Sequence, residues 1–253
     1  MALPSPVAEP TLFGPLRLFV PPEAFAGGHL ALDGTEATRA YQHGVRAGTA
    51  LIALDDSGWE MTVVVEEATA DHCRGVITGR SVADEKRTKV SVYQGLLHPS
   101  DFRRLLTAAT AMGVVSFIPT ITDESEIPAF EDGDLSTGDL TWHSLVRDTA
   151  EASGRGRRPT IGTPLLFDHA LDEAARAGLA LLVDPRGGSL LAALSARPFA
   201  VAIFCPPPAG FTPDEVRRAE ARHVAMVAAP VHYPDPIRPA LGVIEAIYAF
   251  LET

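Results

Sequence analysis

Arginine side chains cluster in one short turn that could bind a phosphate group. Residues 153–158 read Ser-Gly-Arg-Gly-Arg-Arg, which places Arg155, Arg157 and Arg158 close together. An arginine suits phosphate because its planar fork donates two parallel hydrogen bonds. The structural alternative is that Gly154 ends a preceding helix and the arginines simply face solvent. Both interpretations are open from the sequence, and we expect Arg155 to be the best-placed member of the turn.

Three further turns follow short apolar runs. Residues 184–188 read Asp-Pro-Arg-Gly-Gly, residues 205–210 read Cys-Pro-Pro-Pro-Ala-Gly, and residues 230–239 hold four prolines and Arg238. In an open α/β sheet, ligands bind at the carboxyl ends of the strands, so these turns are candidate pocket walls. The first of them is equally compatible with a simple strand-to-helix connection.

The two cysteines do not indicate a disulfide framework or a metal site. Cys205 ends an apolar run, so a nucleophilic role with His223 or His232 is conceivable, but a buried core thiol is favoured. The eight histidines show no metal-ligand spacing, and we predict no metal.

Composition indicates a globular protein and argues against tight, nonspecific binding of nucleic acid. The formal net charge is -11, whereas such binding depends on Lys and Arg. Seven acidic residues and no basic one lie within residues 123–139, which favours a solvated loop. No apolar run approaches the roughly 18 residues of a membrane span, and no signal-peptide pattern precedes the domain. We therefore expect a cytoplasmic protein with no membrane partner.

The chain is expected to form two domains after a flexible segment at residues 1–15, which is rich in Pro and Ala. Short apolar runs over residues 16–82 predict a small β-barrel, with hairpin chemistry in the Asp-Asp-Ser-Gly turn at 55–58. Residues 81–87 are a plausible linker. Over residues 88–253 strands and helices alternate, which is typical of an α/β domain.

The predicted elements of the second domain can be given by their bounds. Strands are expected at 89–93, 114–122, 179–183, 201–204 and 224–229, and helices at 98–112, 142–153, 165–177, from 213, and at about 240–251. Thr212, Pro213 and Glu215 form the pattern of a capping box at the start of one helix.

Several segments resemble the RsmE family of rRNA uridine methyltransferases, which belong to the knotted SPOUT class. Residues 109–125, ATAMGVVSFIPTITDES, resemble the family's ATELGVSEIVPLITERS. Trp142 precedes Arg155 by the thirteen residues that separate a Trp from a Ser-Gly-Arg turn in the family. Residues 17–20, RLFV, resemble the opening strand of the family's PUA-like barrel. The resemblance covers nearly the whole chain.

This resemblance implies a fold and an activity. The fold is α/β: an N-terminal PUA-like β-barrel (residues 16–82) followed by a SPOUT α/β trefoil-knot domain (residues 88–253) that dimerises with a second copy. The activity is S-adenosylmethionine-dependent methylation of a uridine ring nitrogen in rRNA of the small ribosomal subunit. The protein's contribution is mainly to position and shield the reactants.

The resemblance also implies site residues. Arg155 and Arg238 are the expected catalytic residues. The expected cofactor-binding residues are Leu182, Val183, Asp184, Pro185, Pro206, Pro207, Pro208, Ala209, Gly210, Val227, Ala228, Ile237 and Leu241. The expected RNA-binding residues are Arg17, Arg39, Arg46, Arg157 and Arg158.

Both ligand loops depart from the family pattern. Pro206 and Pro208 replace a Gly and a Glu, and a proline has no N–H to donate. If the two lost groups bonded the methyl donor, the loss is about 1–3 kcal/mol, or one to two decades of affinity. The alternative function is therefore a catalytically inactive SPOUT descendant that acts as an RNA- or protein-binding module.

Overall fold

The computed structural model describes residues 15–125, 141–176, 178–229 and 235–253. Almost all of the predicted flexible N-terminus, most of the acidic loop at 123–139, and His232 lie outside these ranges. The chain divides into two compact units. The first comprises Met1–Glu85 and Ala150–Arg157, and the second Lys86–Thr149 and Arg158–Thr253. Residues 153–157 of the arginine turn therefore belong to the first unit, although their sequence position falls within the predicted second domain, and Arg158 belongs to the second unit.

A six-stranded sheet builds the first unit. Its strands are β1 (Leu16–Phe19), β2 (Phe25–Ala26), β3 (His29–Asp33), β4 (Ala50–Leu54), β5 (Trp59–Ala68) and β6 (His72–Val82), in the order β1-β4-β5-β6-β3-β2. β1 pairs with β4 in parallel, and the other pairs are antiparallel. A 3₁₀ turn (Pro22–Ala24) and helix α1 (Gly34–Gln42) complete it. The turn at 55–58 joins antiparallel strands, so the predicted hairpin is confirmed.

Period-two alternation produces the core of this unit. Along β5, Met61, Val63 and Val65 are buried while the residues between them are exposed. They pack in one cluster with Leu30 of β3 and Ala37 of α1. A one-residue shift of register would turn the whole apolar set to solvent, so this pattern specifies the strand pairing.

A parallel sheet forms the second unit. Its strands are β7 (Lys89–Gly95), β8 (Ser116–Ile121), β9 (Thr160–Ile161), β10 (Leu165–Leu166), β11 (Leu179–Gly188), β12 (Ala200–Cys205) and β13 (Ala225–Val227). The order is β10-β8-β7-β12-β11-β13, with β9 also on β8, and all pairings are parallel.

Helices cover both faces of this sheet. They are α2 (Pro99–Met112), α3 (Trp142–Ala152), α4 (Phe167–Ala174), α5 (Leu190–Ala193), α6 (Pro213–Glu220) and α7 (Arg238–Leu251). Val201 and Ile203 of β12 belong to a cluster with α2, α3 and α7, whereas Ala202 and Phe204 belong to a cluster with α4 and α6. Burial on both faces explains why the strand sequences are unbroken apolar runs.

Most predicted elements are present, with three corrections. The expected helix at 165–177 begins as strand β10, β6 continues to Val82 into the expected linker, and β11 continues to Gly188 rather than ending at Val183. The last difference arises because residues 184–187 loop out, and Val227 pairs with both Val183 and Gly188. The capping box of α6 is confirmed, with Thr212 and Glu215 bonding reciprocally.

Candidate active site

The predicted pocket-wall turns begin at one edge of the parallel sheet. Val183 of β11 pairs with Val227 of β13, and Leu182 pairs with Phe204 of β12. The chain segments that follow these residues therefore leave the sheet side by side. Ile237, at the start of α7, lies in the same buried cluster as Val183 and Val227. The structure thus places the first two predicted turns side by side, and it places Ile237, from the described part of the third segment, in the buried cluster beneath them.

The turn after β11 is held by a carboxylate. Asp184 is 4% exposed and accepts hydrogen bonds from the Arg186 amide at 2.8 Å, from its Nε at 2.8 Å and from its Nη2 at 2.9 Å. The Arg186 side chain lowers the pKa of Asp184, outweighing burial, which raises it. The carboxylate therefore stabilises the turn through these hydrogen bonds. The next residue, Pro185, is exposed.

The same turn approaches β13 very closely at Gly187. A Cβ at this position would lie 2.3 Å from the Val227 carbonyl carbon and 2.6 Å from the Ala228 nitrogen. The Ala228 amide donates to the Gly188 carbonyl at 3.0 Å. Only glycine allows such contact between two backbones. The glycine pair was visible in the sequence, but its partner strand was not.

The turn after β12 rests on the end of β7. Gln94 is fully buried, and its Nε2 donates to the carbonyls of Gly95 and Pro206, each at 3.0 Å. A Cβ on Gly95 would lie 2.5 Å from the Pro207 nitrogen. Sequence reasoning missed both residues, because their partners lie more than a hundred positions away. A glutamine ahead of a glycine at the end of an apolar strand was the available signal.

The predicted cofactor-binding residues differ in accessibility. Leu182 and Val183 are 1% and 2% exposed and belong to the cores, so their side chains are not pocket walls. Pro208 and Ala209 are exposed at the tip of the second turn. The Gly210 amide donates back within that turn, to the Pro207 carbonyl at 2.9 Å.

A cavity of about 660 Å³ opens between α2 and the start of α7. Three predicted residues, Ile237, Arg238 and Leu241, contribute to its wall. The residues that sequence reasoning missed are Ser100, Arg103, Arg104, Thr107, Ala108 and Leu145. Arg104 of α2 contacts the segment just before α7, since its Nη2 lies 2.6 Å from Asp235. Its Nη1 lies 2.9 Å from Asp101 of α2 itself. Three guanidinium groups thus share one cavity wall, and their adjacency depends on the fold.

Arg155 lies in the first unit, and it does not face solvent, so the structural alternative does not hold for this arginine. It is 5% exposed, and its Nε and Nη2 contact the Glu85 carboxylate at 3.0 Å and 2.9 Å. Glu85 also accepts from the amides of Gly156 and Arg157 at 2.9 Å and 3.1 Å. Arg238, the other predicted catalytic residue, belongs to the second unit.

The predicted RNA-binding arginines fall into two groups. Arg17 pairs with Glu60, Arg39 pairs with Glu151 at 2.9 Å, and Arg157 donates from Nη2 to the Ser57 carbonyl at 2.6 Å. These three have structural contacts within the first unit. Arg157 is nevertheless exposed, as are the other two, Arg46 and Arg158. The Arg46 guanidinium carbon lies 3.5 Å from the centroid of the Tyr41 ring, and its Nη1 donates to the carbonyls of Tyr41 and Val45 at 2.8 Å and 2.7 Å.

Cys205 is 2% exposed, and burial raises the pKa of its thiol. It is a core thiol, as the favoured interpretation held. Among the described residues, no group of three or more His, Cys, Asp or Glu could hold a metal ion, and no helix is long and apolar enough to cross a membrane.

Comparison with protein families gives a match over residues 84–228, to the model of the RNA methyltransferase domain. The chain belongs to this RNA methyltransferase family. The match covers more than half of the chain and includes the turns after β11 and β12. The family relationship inferred from the sequence is thereby confirmed. No curated protein matches the sequence significantly.

Solved structures share the fold of this methyltransferase over nearly its whole length. Ribosomal RNA small subunit methyltransferase E of Neisseria gonorrhoeae, bound to S-adenosylmethionine, has a TM-score of 0.81 at 18% identity, covering 93% of this chain and 97% of its own. A putative methyltransferase of Legionella pneumophila, also with bound S-adenosylmethionine, has a TM-score of 0.78 at 18% identity with the same coverage. The predicted fold class, a PUA-like barrel followed by a SPOUT knot domain, is confirmed.

Proposed function

We propose that this methyltransferase transfers the methyl group of S-adenosylmethionine to a uridine ring nitrogen in small-subunit rRNA. The observation that carries the proposal is that the turns after β11 and β12 begin side by side at the carboxyl ends of the strands, with Ile237 in the same buried cluster as Val183 and Val227. Ligands bind at this edge in open α/β sheets. The structural relatives from Neisseria and Legionella hold S-adenosylmethionine, and the Neisseria protein is a small-subunit methyltransferase.

The residues at this edge fit such a methyl donor. Gly187 and Gly95 allow backbone contacts that fix both turns, and an added Cβ at either would overlap a neighbouring backbone. Preformed turns hold a ligand better than mobile ones, because less conformational entropy is lost on binding. On this proposal, the backbones of residues 184–188 and 206–210 hold the donor, with Ile237 and Leu241 beside it.

Bound S-adenosylmethionine would supply an electrophilic methyl group. The chain's own task is to orient the uridine and to help its ring N–H lose a proton. Arg238 and Arg103 line one cavity wall together with Arg104, whose own charge is paired with Asp101 and Asp235. Positive charge at this position stabilises the deprotonated ring, because an opposite charge nearby favours the ionised form. Arg238 is accordingly the proposed catalytic residue of the second unit.

Two assignments extend the proposal to partners. The first unit contacts rRNA through exposed arginines such as Arg46, whose stacking on Tyr41 presents a flat cationic surface. The knot domain associates with a second copy of the chain. Light scattering tests the second assignment directly, since a mass near 26.8 kDa in solution would contradict a homodimer.

The proposed function is tested by ligand binding and by methyl transfer. S-adenosylhomocysteine at a hundred times its dissociation constant should add about 2.7 kcal/mol to the free energy of unfolding. Tritiated S-adenosylmethionine should label small ribosomal subunits. Arg238→Ala should lower the rate roughly 100-fold or more. Arg217→Ala is the matched control, because Arg217 is an exposed, ion-paired arginine on α6.

The alternative function gives a different result. An inactive descendant would show no stabilisation at millimolar S-adenosylhomocysteine and no labelling, while it still bound RNA or a protein. We would then attribute the loss of methyl-donor binding to the prolines at 206 and 208, which offer no N–H groups to a ligand.

A further inference from the structure

A cationic patch lies at the amino ends of β7 and β12, the sheet edge opposite to the candidate active site. We call it the linker patch and define it as Lys86, Arg87, Lys89, Arg197 and Phe199. Its two segments are joined by backbone pairing, since the Lys89 amide donates to the Phe199 carbonyl at 2.8 Å. The chain contains only two lysines, and both lie in this patch although the net charge is -11.

An open cavity of about 270 Å³ lies within the linker patch. Arg87, Arg197 and Phe199 contribute to its wall, together with Thr88, Pro198 and Leu251. Phe199 is 69% exposed, a large fraction for an aromatic ring. The cavity therefore combines a flat apolar surface with two guanidinium groups, a combination that accepts a planar ring joined to an anion.

Among the described residues, the cationic side chains of the patch form no short ion pair with a carboxylate, although the Glu252 carboxylate interacts electrostatically with Lys86. Within the described ranges, no ion pair involves Lys86, Arg87, Lys89 or Arg197. Glu252 is the carboxylate in contact, and it accepts from the backbone amides of Arg87 and Thr88 at 3.1 Å and 2.7 Å. It thereby fixes the backbone of the patch without pairing with its side chains.

Arg197 occupies an unfavourable backbone conformation, with φ 49° and ψ 59° after a 3₁₀ turn. Glycine or asparagine would adopt this left-handed conformation with less strain. The Arg197 Nη2 donates to the Leu251 carbonyl at 3.3 Å, and the guanidinium carbon lies 5.8 Å from the Phe250 ring centroid. An arginine at a glycine-favouring position indicates that its side chain has a use there.

We propose that the linker patch binds single-stranded RNA, with one base stacked on Phe199 and the adjoining phosphates on Arg87 and Arg197. Exposed aromatic rings flanked by cations bind single strands in this way with little sequence preference. The proposal rests on the proposed RNA methyltransferase function and adds a second RNA contact to it. An acidic protein segment would use the cations but gain little from a stacking ring.

The test is anisotropy of a fluorescein-labelled oligouridylate with the full chain over a range of salt concentrations. Phe199→Ala should weaken binding roughly 5- to 150-fold and leave the salt slope unchanged. Arg87→Gln should lower the slope of log K against log salt by about 0.7, the loss of one phosphate contact on a single strand. The matched controls are Leu191→Ala, which truncates another side chain that is 54% exposed, and Arg217→Gln.

Each outcome decides the proposal. Equal affinity of the Phe199→Ala and Leu191→Ala variants, or no binding by the parent, overturns the RNA contact. Patch-dependent binding of polyglutamate without RNA binding also overturns it and points to a protein partner. Failure of the proposed function looks different: S-adenosylhomocysteine then gives no stabilisation, whereas RNA binding still depends on Phe199.

Discussion

Glu85 and Arg155 form a buried ion pair in the first unit. The Arg155 Nε and Nη2 lie 3.0 Å and 2.9 Å from the Glu85 carboxylate, and the Arg155 side chain is 6% exposed. The same carboxylate accepts from two amides of the arginine turn, those of Gly156 and Arg157. The sequence of this turn suggests phosphate binding, but the anion that it binds within the protein is the Glu85 carboxylate.

Arg155→Ala should destabilise the protein by about 3 kcal/mol, the lower end of the range for a buried pair, because the Glu85 carboxylate loses its cation but is 14% exposed and keeps two amide donors. Urea unfolding measures the effect. Arg158→Ala, which alters an exposed arginine of the same sequence cluster, should change stability by less than about 0.5 kcal/mol. Unchanged stability of Arg155→Ala together with weaker RNA binding would instead support the phosphate role predicted from the sequence.

Gly187→Ala should disturb the turn after β11, whereas Gly188→Ala should not. The added Cβ would lie 2.3 Å from backbone at position 187, but 3.8 Å from its nearest neighbour at position 188. We expect a cost of about 1–3 kcal/mol for the first variant, and weaker S-adenosylhomocysteine binding. Thermal unfolding and calorimetry measure the two effects. Equal behaviour of the variants would show that the turn does not depend on this contact.

Asp184 should contribute stability that is lost in acid. Its hydrogen bonds from Arg186 hold its pKa below the ordinary value of 3.8, despite burial, which raises it. The Asp184 carboxyl therefore has a higher pKa in the unfolded chain than in the folded protein. Its contribution to the free energy of unfolding is fully present above the unfolded-state pKa and disappears as pH falls through the folded-state pKa. Asp184→Asn should therefore flatten the dependence of Tm on pH below about pH 5.

Arg186→Gln provides the control for that measurement. It removes the same side-chain hydrogen bonds from the other partner. Like Asp184→Asn, it should flatten the dependence of Tm on pH in acid. The double variant should flatten this dependence little further than either single variant. If either single variant kept the parent's dependence of Tm on pH in acid, the assignment of this stability to the Asp184–Arg186 interaction would be contradicted.

Arg46 and Arg39 should behave differently when truncated. Arg39 donates to Glu151 at 2.9 Å, and Glu151 also accepts from the Phe19 amide at 2.7 Å. Arg39→Ala should therefore lower Tm. Arg46 is exposed, so Arg46→Ala should leave Tm nearly unchanged and weaken binding to an rRNA fragment, with a salt slope smaller by about 0.7–0.9. The opposite pattern would mean that Arg39 is the RNA contact.

The sequence by itself determined the architecture of this protein. Unbroken apolar runs predicted the buried parallel strands, and the residues around Thr212 predicted a helix start that the structure reproduces as a capping box. These signals are local, since a strand period or a helix cap is written in adjacent residues. The motifs of residues 109–125 and the interval from Trp142 to Arg155 were sufficient to indicate the family.

Only the tertiary structure decided what each polar side chain does. Arg155 and Arg46 look alike in sequence, yet one is buried against Glu85 and the other is exposed over Tyr41. The turn after β12 rests on Gln94 and Gly95, which lie more than a hundred residues from Pro206 along the chain. The role of a charge depends on its partner and on its exposure to water, and both are set by residues that folding brings together from distant positions.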